Sequence, residues 1–427
     1  MKILRSTEYD AIKDEILSRG DLDYKDINIV VEDIVNNVKE NGDKAVLEYT
    51  AKFDGANMDS MQVTKEETDR AWERAPESLK VALTEAADNI RTFHEKQKRN
   101  SFMDNAKKGR ITGQLINPIE KVGIYVPGGK SPYPSTVLMN AIPAKVAGVE
   151  ELVMITPPGK DGTIMDNILV AAKIAGVDKI FKVGGAQGIA ALAYGTETIP
   201  KVYKITGPGN IYVALAKKQV YGIVDIDMIA GPSEILIIAD DTAKPKYIAA
   251  DLLSQAEHDE LASSVLVTPS EKLADAVSKE VDIQLAKLTK KDIAEKSLEN
   301  YGRIIITKDL DEAIDMANDI ATEHLELMVA EPFLYINSIK NAGAIFVGEN
   351  TPEPLGDYYA GPNHTLPTNG TAKFSSPLSV DDFIKKTSVI YYSKEALKEV
   401  KDTILEISES EGLTAHSNSI KVRFEEE

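Results

Sequence analysis

From residue 121 onward the chain repeats one rhythm: a short β-branched run, a glycine or proline corner, then a helical pattern. "KVGIYVPGGKSPYPSTVLMNAIPAKVAG" (121–148) begins it. "ELVMITPPG" (151–159) with "NILVAAKIAG" (167–176), "KIFKVGGAQGIAALAYG" (179–195) and "KVYKITGPGNIYVALAKKQV" (201–220) continue it. Strands alternating with helices at roughly 25-residue spacing predict βα units and a mostly parallel sheet. The rhythm resumes with strand "EILIIAD" (234–240), a helix to about His258, strand "SSVLVTP" (263–269) and the helical "KLADAVSKEVDIQLAKL". Further strands are expected at "GRIIITK" (302–308), "LELMV" (325–329) and "GAIFVGE" (343–349). These are too many for one small sheet, so the reading is α/β with two domains.

The ends of the chain differ from this middle. "DINIVVEDIVNNVKENGDKAVLEYTAKF" and "ESLKVALTEAADNIRTFHEKQK" are amphipathic helical patterns broken at Gly or Asp. The last 50 or so residues read as a strand, a helix and an exposed "TAHSNSIKVRFEEE". Lys+Arg 49 against Asp+Glu 68 gives a net charge of −19, which excludes the basic footprint of a nucleic-acid binder. The N-terminus turns polar too soon for a signal peptide, and no apolar run reaches spanning length, so a cytoplasmic protein is expected. Cysteine is absent, which removes disulfides, thiolate metal ligands and a thiol nucleophile.

Three glycine corners stand where a parallel sheet binds ligands: "YVPGGK" (125–130), "VGGAQG" (183–188) and "ITGPGN" (205–210). Each frees backbone amides beside a helix start, which suits an anion, and equally serves a tight βα turn. None has the G-x-G-x-x-G dinucleotide spacing.

Four of the five histidines sit among carboxylates, amides or glycine turns. In "SQAEHDEL" (254–261), Gln255 and His258 are one helical turn apart and face one point, while Glu257 points away. They read as metal ligands or as a solvated helix end. In "ATEHLELM" (321–328), Leu325, Leu327 and Val329 alternate, so Glu323 and His324 fall at a helix-to-strand corner. There a carboxylate and an imidazole form an acid–base pair or a structural turn. Asp357 and His364 occupy a long Gly/Pro/Asn-rich loop, 353–377, of a kind that is functional when ordered. Glu411 and His416 lie in the tail, and His94, in "RTFHEKQKR", reads as an ordinary surface residue.

With "GIYVPGG", "GGAQGIAALAYGT", "ITGPGN", "DMIAGPSEILIIAD", "DLLSQAEHD", "EHLEL", "GDYYAGPNHTLPT" and "EGLTAHSNSI" in this order, the chain resembles histidinol dehydrogenases over essentially its whole length. The resemblance implies NAD⁺-dependent oxidation of L-histidinol to L-histidine through L-histidinaldehyde, with one zinc ion per subunit. It implies zinc ligands Gln255, His258, Asp357 and His416, and the acid–base pair Glu323 and His324. Substrate would meet Ser233, His324, His364 and Glu411 besides the zinc ligands. Cofactor would meet Tyr125, Gln187 and Asn210, one at each corner. It further implies a homodimer whose C-terminal tail reaches the partner's active site. The implied architecture is two Rossmann-like parallel-sheet domains, the second inserted in the first, with a helical N-terminal region and a small C-terminal tail domain. The corresponding boundaries are an arm at 1–24, a first domain at 25–125 and 237–378, a second at 126–236 and a tail at 379–427. Thr322 departs from the proline expected before Glu-His in many relatives, a change that frees the preceding backbone.

Two other readings of these residues differ in what they require. A zinc hydrolase would use the same Gln/His/Asp/His set without needing the corners. A non-catalytic ligand-binding α/β protein would keep the corners but not the Glu323–His324 pair.

Overall fold

The computed structural model describes residues 1–11, 16, 24–128 and 133–425. Two compact units form: Met1–Gln97 with Ile119–Phe383, and Lys98–Pro118 with Ile384–Glu427.

The larger unit contains two parallel sheets. With strands numbered along the chain, one comprises β1 (Lys2–Arg5), β9 (Glu234–Ala239), β10 (Ser263–Thr268), β11 (Gly302–Ile306), β12 (His324–Met328) and β13 (Ala344–Val347). Their order is β1-β11-β10-β9-β12-β13. Central strands such as "EILIIA" are buried along their full length, as a parallel sheet covered on both faces requires. Side chains alternate between two cores: Ile235 and Ile237 pack with helix Pro245–Ala256, Leu236 and Ile238 with helix Leu310–Ile320.

The other sheet comprises β4 (Lys121–Tyr125), β5 (Glu151–Thr156), β6 (Lys179–Lys182), β7 (Lys204–Thr206) and β8 (Asp225–Ile226), in the order β6-β5-β4-β7-β8. All of it lies in sequence between β1 and β9, so this sheet is inserted into the first, as the resemblance implies. Helices Gly185–Tyr194 and Ile211–Val220 lie on one side of it, and helix Lys25–Phe53 packs on them through Val31, Val35 and Val38. Helices Pro134–Ala147 and Asp166–Ala175 lie on the other, and helix Glu77–Glu95 packs on them through Leu83, Ala86 and Ile90. Each such buried Val, Leu or Ile contributes about 1.5–3 kcal/mol. The boundaries implied by the resemblance group 25–125 with the six-stranded sheet. The packing instead groups β4 and these N-terminal helices with the five-stranded one, because their apolar stripes pack on the helices that cover its two faces.

His94 belongs to the same packed helix and is fully buried, against the expectation of a surface residue. Its Nδ1 lies 2.8 Å from the Gln97 Oε1, and burial lowers its pKa. It continues the stripe Ala87–Ile90 toward the core, a period that the surrounding charges conceal in the sequence.

In the smaller unit, β14 (Ile384–Tyr392) pairs antiparallel with β3 (Arg110–Pro118), which pairs with β2 (Phe102–Asp104). Helices Lys394–Ser410 and Thr414–Lys421 follow. Among the described residues no helix is long and apolar enough to cross a membrane.

Candidate active site

Each sheet reverses its strand order once, between β4 and β7 in one and between β9 and β12 in the other. Such switch points open crevices. The two crevices are used at opposite ends.

In the five-stranded sheet the glycine corners follow the carboxyl ends of the strands. Tyr125 ends β4, buried, with its hydroxyl bonded to the Gly185 backbone; burial pushes its pKa up to about 12. Gly207 has φ +112°, and a Cβ there would lie 2.1 Å from the Tyr125 carbonyl oxygen, so only glycine fits. The corner is held from below by a buried ion pair, Lys217–Asp227. Asp227 accepts the Gly207 N–H at 2.7 Å, and the Lys217 ammonium donates to the Gly207 carbonyl at 3.0 Å. Asn210 caps helix Ile211–Val220, its Oδ1 accepting from Tyr212 and Val213 N–H, which leaves its NH₂ without a partner among the described residues. Gln187 is buried in the first turn of helix Gly185–Tyr194. Gly129 and Lys130 of the first corner lie outside the described residues.

In the six-stranded sheet the candidate chemistry sits at the amino ends of the strands. Helix Leu310–Ile320 stops at Ala321, whose φ of 53° places it in the left-handed region. Three residues later β12 starts at His324, and Leu325 and Leu327 turn into the core as their alternation predicts. Glu323 and His324 therefore stand at the expected corner, both buried. The Glu323 Oε2 accepts the Glu234 N–H at 3.0 Å. The His324 Nδ1 lies 2.9 Å from the Glu234 carbonyl oxygen, a contact that puts the proton on Nδ1. Nε2 then carries the lone pair, has no hydrogen-bond partner among the described residues, and lies 3.8 Å from the Asp357 Oδ1. Burial holds the His324 pKa down at about 4 and raises that of Glu323 well above the usual carboxylate range.

Asp357 does not lie on a loop: the 353–377 stretch opens with a short helix, Glu353–Tyr358. The His364 Nδ1 is 3.2 Å from the Asp357 carbonyl oxygen. Its Nε2 is 3.4 Å from the Thr136 Oγ1, on the helix Pro134–Ala147 that follows the first glycine corner. The two crevices are thus joined through His364. Gln255 ends the helix Pro245–Ala256 with its Oε1 buried and unpartnered among the described residues. His258, exposed just beyond, lies within electrostatic reach of His324 and Glu353. A helix C-terminus carries partial negative charge and favours a cation, whereas the helix starts at the glycine corners favour an anion.

Four buried carboxylates were missed by sequence reasoning: Glu234, Asp251, Glu326 and Glu353. Ligand atoms of His324, Glu353 and Asp357 lie within 4.8 Å of one another, a group that could hold a metal ion. Burial, then the charge of Asp357, pushes the Glu353 pKa up to about 8. Ser233, half-buried, precedes β9 and accepts the Ser263 N–H at 3.0 Å. Glu411 and His416 belong to the smaller unit, where both are exposed.

A buried imidazole–carboxylate pair beside a cation-favouring pocket, on a chain whose other parallel sheet carries anion-favouring corners, describes the site of an α/β enzyme. The family model for histidinol dehydrogenase matches residues 17–424, and the chain belongs to that family. It is 59% identical over 391 residues to histidinol dehydrogenase of Clostridium acetobutylicum, covering 92% of this chain and 91% of the relative. It is 53% identical over 427 residues to that of Halalkalibacterium halodurans, covering 100% of both. The crystal structure of histidinol dehydrogenase from Elizabethkingia anophelis superposes with a TM-score of 0.94 at 38% identity, over 99% of this chain and 98% of that one. Family membership makes the chain an oxidoreductase that oxidises histidinol in histidine biosynthesis.

Proposed function

We propose that the enzyme is a zinc-dependent, NAD⁺-reducing dehydrogenase that takes L-histidinol through L-histidinaldehyde to L-histidine. Alcohol to carboxylate is a loss of four electrons, and each nicotinamide accepts two as hydride, so one histidinol reduces two NAD⁺. The observation that carries the reading is the His324 Nε2: buried, unprotonated, unpartnered among the described residues, and aimed at the Asp357 pocket.

The pocket suits a zinc ion, since the unpartnered Gln255 Oε1 and the Asp357 carboxylate supply oxygen donors and His258 a nitrogen. Gln255, His258 and Asp357 would hold it, with His416 of the partner subunit completing the set in a homodimer. Zinc would anchor the substrate's imidazole and amine and so fix its orientation. Ser233, His364 and Glu411 of the partner subunit would bind substrate around it, and Tyr125, Gln187 and Asn210 would bind NAD⁺.

The chain's own residues divide the proton work. His324 stays neutral at working pH because burial lowers its pKa, and its Nε2 takes the hydroxyl proton in the alcohol step. The aldehyde carbon must first gain an oxygen. With no cysteine in the chain a thiohemiacetal is closed to it, so water adds, and Glu323 is the base that deprotonates it. Absorbance at 340 nm tests the whole reading: histidinol with NAD⁺ gives about two NADH, chelator abolishes the signal and zinc restores it. Fully metallated protein that produces no NADH would overturn it, leaving a hydrolase or a silent binder.

Gly343 supplies a separate check on the corner. A Cβ there would lie 2.5 Å from the Glu323 carbonyl oxygen. Gly343→Ala is expected to displace Glu323 and lower kcat about 10–100-fold, since small misplacements of reacting groups cost that much. Thermal melts should show a loss of about 1–3 kcal/mol. Wild-type kcat in this variant would mean the corner tolerates movement.

A further inference from the structure

Glu234, the first residue of β9, turns its N–H, its carbonyl and one carboxylate oxygen to the acid–base corner. Its N–H donates to the Glu323 Oε2 at 3.0 Å and its carbonyl lies 2.9 Å from the His324 Nδ1. The register of β9 against β12, with Ile235 beside His324, sets these backbone contacts, and any residue at 234 would make them. The side chain is a different matter. Its Oε2 accepts the Glu323 N–H at 3.2 Å, and its Oε1 accepts the Asn369 N–H at 2.9 Å. At 4% exposure this carboxylate sits where no water competes for those amides.

A carboxylate is the one side-chain group of this length that accepts at both ends. Glutamine would turn an NH₂ toward one of the two N–H donors. An apolar residue would strand both amides, at about 1–3 kcal/mol each. The two amides belong to segments far apart in the chain: the Glu323 corner and the stretch after His364. Asn369 is one of two non-glycine residues with positive φ among the described residues, at 53°, so its segment is held in a conformation that needs support.

We propose that Glu234 is a positioning residue for the oxidation. By clamping the Glu323 and Asn369 amides it fixes where the Glu323 carboxylate and the His324 Nε2 point. This rests on the reading of Glu323 and His324 as the acid–base pair.

The test is steady-state kinetics on zinc-loaded Glu234→Gln holoenzyme, with zinc content, thermal melting and calorimetric histidinol affinity measured alongside. The expected result is a kcat lowered about 100-fold with histidinol Kd and zinc content within about threefold of wild type. Glu234→Asp keeps the charge but shortens the reach; it should lose about tenfold in kcat and serves if the glutamine variant does not fold. Unchanged kcat in a folded variant, or a parallel loss of zinc or histidinol affinity, overturns the proposal. His324→Asn run beside it separates the two levels. Were that variant fully active, the acid–base reading itself would fall; were it inactive while Glu234→Gln kept wild-type kcat, only the positioning role would.

Discussion

Replacing His324 by asparagine should lower kcat about 10³-fold, the middle of the range for loss of a general base, and leave the fold intact. The choice of asparagine matters. Its amide nitrogen occupies the place of Nδ1 and can keep the bond to the Glu234 carbonyl, 2.9 Å away in the native protein. What disappears is Nε2, the atom with no hydrogen-bond partner among the described residues. Removing an atom that makes no hydrogen bond leaves no polar group stranded, so the melting temperature should move by only a few degrees. A 10³-fold fall corresponds to about 4 kcal/mol of transition-state stabilisation. The measurement is NADH formation under saturating histidinol and NAD⁺. A loss smaller than tenfold would show that the hydroxyl proton leaves by another route.

Much of this site was legible before any coordinates. The change from helical period to alternation around Glu323 marked the corner, because Leu325 and Leu327 must enter the core of a strand buried on both faces. The glycine corners were legible for the same reason: Gly207 admits no Cβ, so the spelling reports the backbone. The carboxylates at 234, 251, 326 and 353 were not legible. A glutamate at a strand start, or alternating with leucines, has the pattern of a solvent face. Only the assembled sheet shows that these faces turn toward one another. His94 failed similarly, hidden among charges although it continues an apolar stripe. The edge of the sheet was also hidden. Ligands were expected at carboxyl ends, where the glycine corners stand, but Glu234, Glu323 and His324 gather at the amino edge of β9 and β12. That edge is where the intervening helix ends, and its negative end suits a cation. The strand at 110–118 was missed because its partner, β14, lies more than 250 residues away in the sequence, and the short strand at 102–104 pairs only with it.

Glu323→Gln should cut the yield from about two NADH per histidinol toward about one, with the aldehyde accumulating. Glutamine keeps the volume of the side chain and an oxygen to accept the Glu234 N–H, so the corner and His324 stay in place. The alcohol step, which needs only a base at the hydroxyl, should slow by less than about tenfold. The aldehyde step differs in kind, because no hydride can leave until oxygen has added to the carbonyl. In a chain without cysteine that oxygen comes from water, and an amide cannot take the proton water gives up. Burial favours the protonated form of Glu323, which makes its carboxylate a stronger base than one in solvent. Loss of that base should slow aldehyde oxidation about 10²–10⁴-fold. Supplying the aldehyde directly and comparing its rate with the alcohol's isolates the step. If both steps fell by the same factor, Glu323 would be serving the pair as a whole, and the division of labour with His324 would be wrong.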